Sequence, residues 1–109
     1  CALLFGKLTD KDITVTRVAI TPNILRSTVR FEIDPQIFFK AFMRARAEGM
    51  EFVGFFHSHP ASATPSAVDL HFMRLWGDAV WLILSQTDGG LAAFRMEEGR
   101  VEELTIKTE

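Results

Sequence analysis

Cysteine is nearly absent from this sequence, which has one among 109 residues, Cys1. A single cysteine excludes a disulfide within the chain and fits the reducing cytoplasm. Long apolar runs are missing as well, and a stretch such as AVWLIL at 79–84 is far too short to cross a bilayer. Basic residues are not in excess, with 12 Lys and Arg against 14 Asp and Glu, whereas proteins that bind a nucleic-acid backbone usually show the opposite balance. We therefore expect a cytoplasmic protein without a membrane or nucleic-acid partner.

Apolar residues are plentiful by contrast. They make up 48% of the chain and include ten Phe and two Trp, which predicts a packed globular fold. No internal repeat, low-complexity tract or linker interrupts the sequence. The length suits one hydrophobic core, so we expect residues 1–109 to form a single domain.

Alternating and helical patterns of apolar residues predict both strands and helices. The run FVGFFHSH at 52–59, apolar on both faces, predicts a strand in the interior of a sheet. A helix over 34–49 has Asp34 as N-cap, Pro35 in its first turn and Gly49 as its stop. The other predicted elements are strands at 1–8, 13–21, 27–33 and 79–85, a helix from about Ser66 to Trp76, and a hairpin over 91–107 that turns near Glu98 and Gly99. This order predicts an α/β (α+β) fold, a mixed β-sheet flanked by helices.

The predicted helix over 34–49 has two apolar stripes. Its core face is predicted from the helical spacing of Ile37, Phe38, Ala41, Phe42 and Ala45. A second stripe of Phe39, Met43 and Ala47 could face a partner. Elsewhere, the Phe and Trp positions are most simply core residues.

All three histidines fall in one stretch, FFHSHPASATPSAVDLH at 55–71. Side chains alternate along a strand, so His57 and His59 point to one face and Ser58 to the other. Pro60 then ends the strand, because a proline cannot continue the ladder of hydrogen bonds. Two imidazoles about 6–7 Å apart along a strand can converge on one ion.

Asp69 lies on the second predicted helix, at the spacing of an apolar stripe with Phe72, Met73 and Trp76. A buried carboxylate needs a partner, because an uncompensated buried charge costs several kcal/mol. A cation held by the two imidazoles would be that partner. Two imidazoles and one carboxylate, without thiolates, suit zinc with an open fourth position for water, which is a catalytic type of site.

Each part of this pattern also has a purely structural interpretation. Ser66-x-x-Asp69 is a capping box, a common helix start that needs no metal. A His-x-His pair can stand at a polar strand end without an ion. Together, on a buried strand and a buried helix stripe, these residues favour a metal. His71 shares a solvated helix face with Arg74 and Asp78, so it is predicted to be a surface histidine.

The combination of HSHP, a short loop and SAVD resembles the H-x-H-P-x(n)-S-x-x-D signature of the JAMM (MPN+) zinc metalloproteases. CALLFG is similar to the first strand of that family, RFEIDP to the segment before its central helix and GFFHSHP to its ligand strand, so the resemblance covers nearly the whole chain. It implies the JAMM/MPN fold, which resembles that of cytidine deaminase. It also implies an isopeptidase that removes ubiquitin or ubiquitin-like proteins from conjugates. Deaminase activity itself is excluded, because the H-x-E and P-C-x-x-C elements are absent.

The resemblance implies a role for single residues. His57, His59 and Asp69 would ligate one zinc ion per chain. Ser66 would be catalytic, with its hydroxyl near the water at the metal, where it helps to stabilise the oxyanion of the tetrahedral intermediate. The loop between Pro60 and Ser66 holds five residues, where six are expected in many relatives, and this difference could shift Ser66 slightly.

The general base of the family is a glutamate on the first strand, two residues before the position that matches Cys1. We therefore expect the N-terminal helix and this catalytic glutamate to precede the given chain. A chain without the glutamate is expected to bind zinc but to hydrolyse isopeptide bonds poorly. Glu51 lies on the His57 face but about 20 Å away along an extended strand, and Glu32 matches a structural position before the central helix. Neither replaces the base well.

In its small size the chain resembles the minimal prokaryotic members of the family. The leading hypothesis is a zinc metallopeptidase, a JAMM-type isopeptidase that acts on ubiquitin-like modifiers ending in Gly-Gly, on their conjugates, or on sulfur-carrier proteins. The alternative is a non-catalytic MPN-type binding scaffold, although scaffolds of that kind usually lack the two histidines and the aspartate. A third hypothesis makes Cys1 an N-terminal nucleophile, but Cys1 opens an apolar strand, which favours a buried core cysteine. The sequence leaves open the modifier, the type of bond and the oligomeric state.

Overall fold

The computed structural model describes residues 1–9, 12–21, 33–60 and 63–107. These contain six strands and two helices: β1 (Ala2–Leu8), β2 (Ile13–Ile20), α1 (Pro35–Ala47), β3 (Glu51–His59), α2 (Ala67–Trp76), β4 (Val80–Ser85), β5 (Leu91–Glu97) and β6 (Arg100–Leu104). The predicted α+β class is confirmed, and every predicted element within the described ranges is present. The predicted strand at 27–33 falls almost wholly outside them. No helix in the described part of the chain is both long and apolar enough to cross a membrane.

The six strands form one sheet in the order β2-β1-β3-β4-β5-β6. β3 is therefore an interior strand, as its apolar run predicted, and Val53, Phe55 and His57 are buried in it. The chain divides within β3 into two compact units, Cys1–Phe55 and Phe56–Glu109. The single domain predicted for residues 1–109 stays a prediction.

In the first unit, β1 and β2 form an antiparallel pair whose register shifts between Phe5 and Gly6. The shift coincides with an unusually close approach of the two backbones. A Cβ atom placed on Gly6 would lie 1.7 Å from the carbonyl oxygen of Thr14, a distance that no side chain tolerates. Glycine is therefore required at this position because of the neighbouring strand.

Helix α1 begins at the predicted cap, where the Asp34 side chain accepts a hydrogen bond from the Gln36 N–H at 2.8 Å. Its predicted core face is half-buried, with Ala45 fully buried. Phe38 on that face meets Phe52 at a ring-centroid distance of 5.2 Å, and Phe52 meets Phe55 at 5.2 Å. Aromatic contacts of this kind pack α1 against β3 in the first unit.

The second apolar stripe of α1 is exposed, with Phe39 62% and Met43 46% accessible. The expectation that this stripe lies outside the core is confirmed. A partner for it stays a prediction.

In the second unit, β4, β5 and β6 pair antiparallel, and α2 contacts β5. The predicted hairpin turn is present, with positive φ angles of 50° at Glu98 and 79° at Gly99. Trp81 and Ile83 of β4 are buried together with Met73 of α2.

The apolar stripe predicted for α2 is shorter than expected. Asp69 and Met73 are buried and Phe72 is half-buried, but Trp76 is 45% exposed, which corrects its assignment to the core. Trp76 is exposed because it is the last residue of the helix. Gly77 ends the helix by donating its N–H to the Met73 carbonyl.

Candidate metal centre

The end of β3 places two histidines on the same face of the strand. His57 is 6% exposed, and its ring meets that of Trp81 edge-on at a centroid distance of 6.0 Å and an angle of 83°. His59 is the last residue of the strand, with a side chain that is 12% exposed. The rings of His57 and His59 stand 4.7 Å apart between centroids. The predicted convergence of the two imidazoles is therefore present.

The start of α2 brings a carboxylate to the same place. Ser66 is the N-cap, and its Oγ accepts from the Asp69 N–H at 3.1 Å. Asp69 Oδ2 in turn accepts from the Ser66 N–H at 2.9 Å, which completes the capping box. The structural interpretation of this pair is thus confirmed, and the box also fixes the direction of the carboxylate.

These elements assemble a histidine–aspartate cluster of His57, His59 and Asp69, in which ligand atoms of all three residues lie within 4.8 Å of one another. Nε2 of His57 is 2.8 Å from Nε2 of His59 and 3.2 Å from Oδ1 of Asp69. Nε2 of His59 is 2.9 Å from Oδ2 of Asp69. The Asp69 residue is 3% exposed, so a carboxylate that would normally be hydrated is held inside the protein.

Asp69 is ionised near neutral pH. Burial by itself would raise the pKa of this carboxyl group. The hydrogen bonds from His57 and the Ser66 N–H, together with the charges of the two histidines, outweigh burial, so the pKa stays below its ordinary value. The cluster therefore contains a negative charge.

The three contacts of the cluster cannot all be hydrogen bonds while Asp69 is ionised. An ionised carboxylate only accepts, so both imidazole nitrogens would have to carry a hydrogen. Two N–H groups would then face each other across the 2.8 Å between the nitrogens of His57 and His59. If one nitrogen had no hydrogen, its lone pair would face a carboxylate oxygen instead. A cation removes this conflict, because it attracts the lone pairs of all three ligand atoms at once.

The spacing of the ligand atoms also fits zinc. Zinc binds imidazole nitrogen and carboxylate oxygen at about 2.0–2.2 Å, so two ligands of a tetrahedral ion stand roughly 3.3–3.5 Å apart. The observed separations of 2.8, 2.9 and 3.2 Å are shorter than this by roughly 0.1–0.7 Å. Small side-chain shifts would open the cluster to that size.

Among the described residues, His71, Glu51 and Cys1 are not members of the cluster. His71 is exposed, as predicted, and its ring contacts Phe72. Glu51 is exposed and accepts a hydrogen bond from the Leu8 N–H, and Glu32 lies outside the described residues. Cys1 is half-buried rather than fully buried, and its thiol donates to the Thr21 carbonyl at 3.5 Å. Within the described ranges, no glutamate belongs to the cluster.

Sequence reasoning missed two sets of contacts at this site. One is the packing of Trp81 against His57. The other is a group of hydrogen bonds from Gln86 and Thr87 to the end of β3. The residues TDGG at 87–90 signal a turn after β4, but they carry no sign of what the turn contacts.

Comparison with known proteins identifies the family. The family model described as prokaryotic homologs of the JAB domain matches residues 1–97, and the chain belongs to this family. The predicted resemblance to minimal prokaryotic JAMM proteins is thereby confirmed.

Two curated relatives carry the same name. The chain is 37% identical to the desampylase of Pyrococcus furiosus over 110 residues, which cover 100% of this chain and 75% of that protein. It is 32% identical to the desampylase of Haloferax volcanii over 114 residues, covering 100% of this chain and 77% of that protein. These relatives confirm the prediction of an enzyme of the isopeptidase class.

Solved structures agree with the fold. A protein from Desulfitobacterium hafniense, known from its solution structure, superposes with a TM-score of 0.77 at 31% identity, over 94% of this chain and 73% of that one. A protein from Salinibacter ruber superposes with a TM-score of 0.71 at 29% identity, over 97% and 74% of the two chains.

Proposed function

We propose that the protein is a zinc-dependent isopeptidase that removes ubiquitin-like modifiers from protein conjugates. One observation carries the proposal: three ligand atoms of His57, His59 and Asp69 converge in a buried cluster whose contacts conflict unless a cation lies between them. Membership of a family of metalloproteases and the two relatives named desampylase support the reaction class.

The residues of the cluster would hold one zinc ion per chain. Bound there, zinc lowers the pKa of a water molecule and polarises a carbonyl group. With three protein ligands the site would be of the catalytic type, in which water and substrate can reach the ion. The capping box holds Asp69 in place through the Ser66 N–H, and the strand end holds the two imidazoles.

Ser66 is the proposed stabiliser of the developing negative charge. Its Oγ accepts from the Asp69 N–H, which uses one lone pair and leaves the hydroxyl hydrogen for a second bond. A hydroxyl at this edge of the cluster would donate to the oxygen of the tetrahedral intermediate. Capping and catalysis are therefore compatible in this one residue. The glutamate general base stays a prediction.

The proposed substrates are conjugates of ubiquitin-like modifiers with a Gly-Gly tail, or sulfur-carrier proteins with the same ending. Desampylase relatives over the whole chain support a ubiquitin-like partner. A non-catalytic scaffold has less support, since the metal ligands and the capping serine are all in place. The cytoplasmic location also stays a prediction, in keeping with the single cysteine.

The test is cleavage of a conjugate in which a ubiquitin-like modifier is joined to a lysine through its Gly-Gly tail. A thin, extended tail can pair with a strand edge beside the site. Replacing both glycines with larger residues should therefore abolish cleavage by the full-length protein.

Two histidine variants test in the same assay whether cleavage depends on the metal centre. His57→Ala should lose cleavage, and His71→Ala, which changes an exposed histidine, should retain it. Equal cleavage of the Gly-Gly tail and of the tail with larger residues would contradict the proposed substrate. Wild-type rates in His57→Ala would contradict the proposed reaction.

A further inference from the structure

The β4–β5 turn (residues 85–90) holds the end of the strand that carries both histidines. The Gln86 N–H donates to the carbonyl of His59 at 2.8 Å. The Thr87 hydroxyl donates to the carbonyl of Pro60 at 2.6 Å. The Gln86 side-chain amide donates to the Ser58 hydroxyl at 3.1 Å. Three consecutive residues, with His59 in the middle, are thus bound by two neighbouring residues of one turn.

The turn is itself fixed by short internal bonds. The Ser85 N–H donates to the Gly90 carbonyl at 2.8 Å, and the Gly89 N–H donates to the Ser85 carbonyl at 3.0 Å. Ser85 is 1% exposed, and its hydroxyl accepts from the Thr87 N–H at 3.3 Å. Asp88 Oδ1 accepts from the Gly90 N–H at 2.7 Å. A turn that is closed in this way can resist displacement of the strand end.

The strand end needs such support because the ladder of hydrogen bonds stops there. Pro60 has no N–H and cannot continue the ladder, so the strand ends directly after a residue of the cluster. The backbone angles of His59 set the direction of its imidazole, and metal centres require their ligands to be held within about 0.5 Å. The bonds from Gln86 and Thr87 fix the peptide groups on the C-terminal side of His59.

We propose that the β4–β5 turn positions His59 for metal binding, and that Thr87 is its main side-chain contribution. Thr87 acts through the Pro60 carbonyl and does not touch the metal or the substrate. The proposal rests on the metal centre proposed above. Outer partners that orient metal ligands typically contribute about 10–100-fold to metal affinity.

The experiment is a cobalt(II) titration of the protein, followed by visible absorption, which reports both affinity and ligand geometry. Thr87→Val removes the hydroxyl but keeps the branched side chain. It should weaken cobalt binding by about tenfold and alter the visible bands. Thr87→Ser, which keeps the hydroxyl, should restore both. Thr105→Val is the matched control, because Thr105 is exposed and lies outside every strand, and it should bind cobalt like the wild type.

The outcomes separate this proposal from the one on which it rests. A wild-type protein that binds no cobalt would overturn the metal centre, and this proposal with it. Equal affinity and equal bands in the wild type and a folded Thr87→Val would overturn the positioning role alone, as would failure of Thr87→Ser to restore binding. If Thr87→Val does not fold, Thr87→Ala replaces it: the smaller side chain also lacks the hydroxyl that donates to the Pro60 carbonyl, and cobalt binding equal to that of the wild type would overturn the proposal.

Discussion

Asp69 combines two functions that are usually assigned to different residues. As the third residue of α2, its carboxylate accepts the Ser66 N–H and closes the capping box. The same oxygen, Oδ2, lies 2.9 Å from Nε2 of His59, and Oδ1 lies 3.2 Å from Nε2 of His57. A rotamer that satisfies the cap is therefore also the one that completes the cluster. Helix capping thus fixes this carboxylate in the direction that the proposed metal centre requires.

Ser66 gives a prediction at the scale of one side chain. Ser66→Ala removes the acceptor for the Asp69 N–H and should cost about 1 kcal/mol of unfolding free energy. If the hydroxyl also stabilises the oxyanion, turnover of a Gly-Gly conjugate should fall about 10²–10³-fold at equal zinc content. Urea unfolding and steady-state kinetics of the full-length protein measure the two effects.

The matched control is the cap of the other helix. Asp34→Ala removes the acceptor for the Gln36 N–H at the start of α1, so it should lower stability by a similar amount and leave turnover unchanged. If Ser66→Ala turns over as fast as Asp34→Ala, only the capping role of Ser66 remains.

Single residues also show what sequence reasoning can and cannot find at this site. The two histidines and Asp69 were predicted because strand and helix periodicity place their side chains on inward faces. Gln86 and Thr87 were not, because their bonds run to backbone carbonyls of a segment about 27 residues earlier. A backbone carbonyl is present at every residue, so the sequence carries no sign of which one a turn will contact.

At the scale of elements, the burial of a strand or helix face was predicted correctly where its pattern of apolar residues alone determined that burial. The run of apolar residues in β3 predicted an interior strand, which is present. The two stripes of α1 predicted a core face and a stripe outside the core, and the structure shows the first half-buried and the second exposed. Trp76 was wrongly assigned to the core. Helical periodicity predicts which side of a helix faces the core, but not how far along the helix the contact with the core extends. Gly77 caps α2, so Trp76 is the last residue of the helix.

The β1–β2 pair gives a prediction at this scale. Gly6→Ala would place a methyl group against the backbone oxygen of Thr14, where no side-chain rotation can relieve the contact. Overpacking of this kind should lower the unfolding free energy on the order of 1–3 kcal/mol, measured as a shift of the urea midpoint.

Thr14→Ala is the control for Gly6→Ala. It leaves the carbonyl oxygen in place and changes only an exposed side chain, so its effect should stay within about 0.5 kcal/mol. A Gly6→Ala protein as stable as Thr14→Ala would mean that the two strands can separate at no cost.

At the scale of the whole molecule, the family, the fold class and the enzyme class were all predicted from the sequence. The signature residues made this possible, because they combine a strand end, a proline and a capped helix in one short stretch. Zinc was predicted from the same signature residues and stays a prediction. The structure adds the conflict among three short contacts around an ionised carboxylate, which periodicity cannot reveal because it depends on distances between atoms.

The metal content of the purified protein tests the central claim most directly. Elemental analysis should find about one zinc per chain in the wild type and in His71→Ala, which changes a histidine outside the cluster. His57→Ala, His59→Ala and Asp69→Ala should each lose most of the metal, since each removes one of three protein ligands. Stoichiometric zinc in the His57→Ala/His59→Ala double variant would contradict the account.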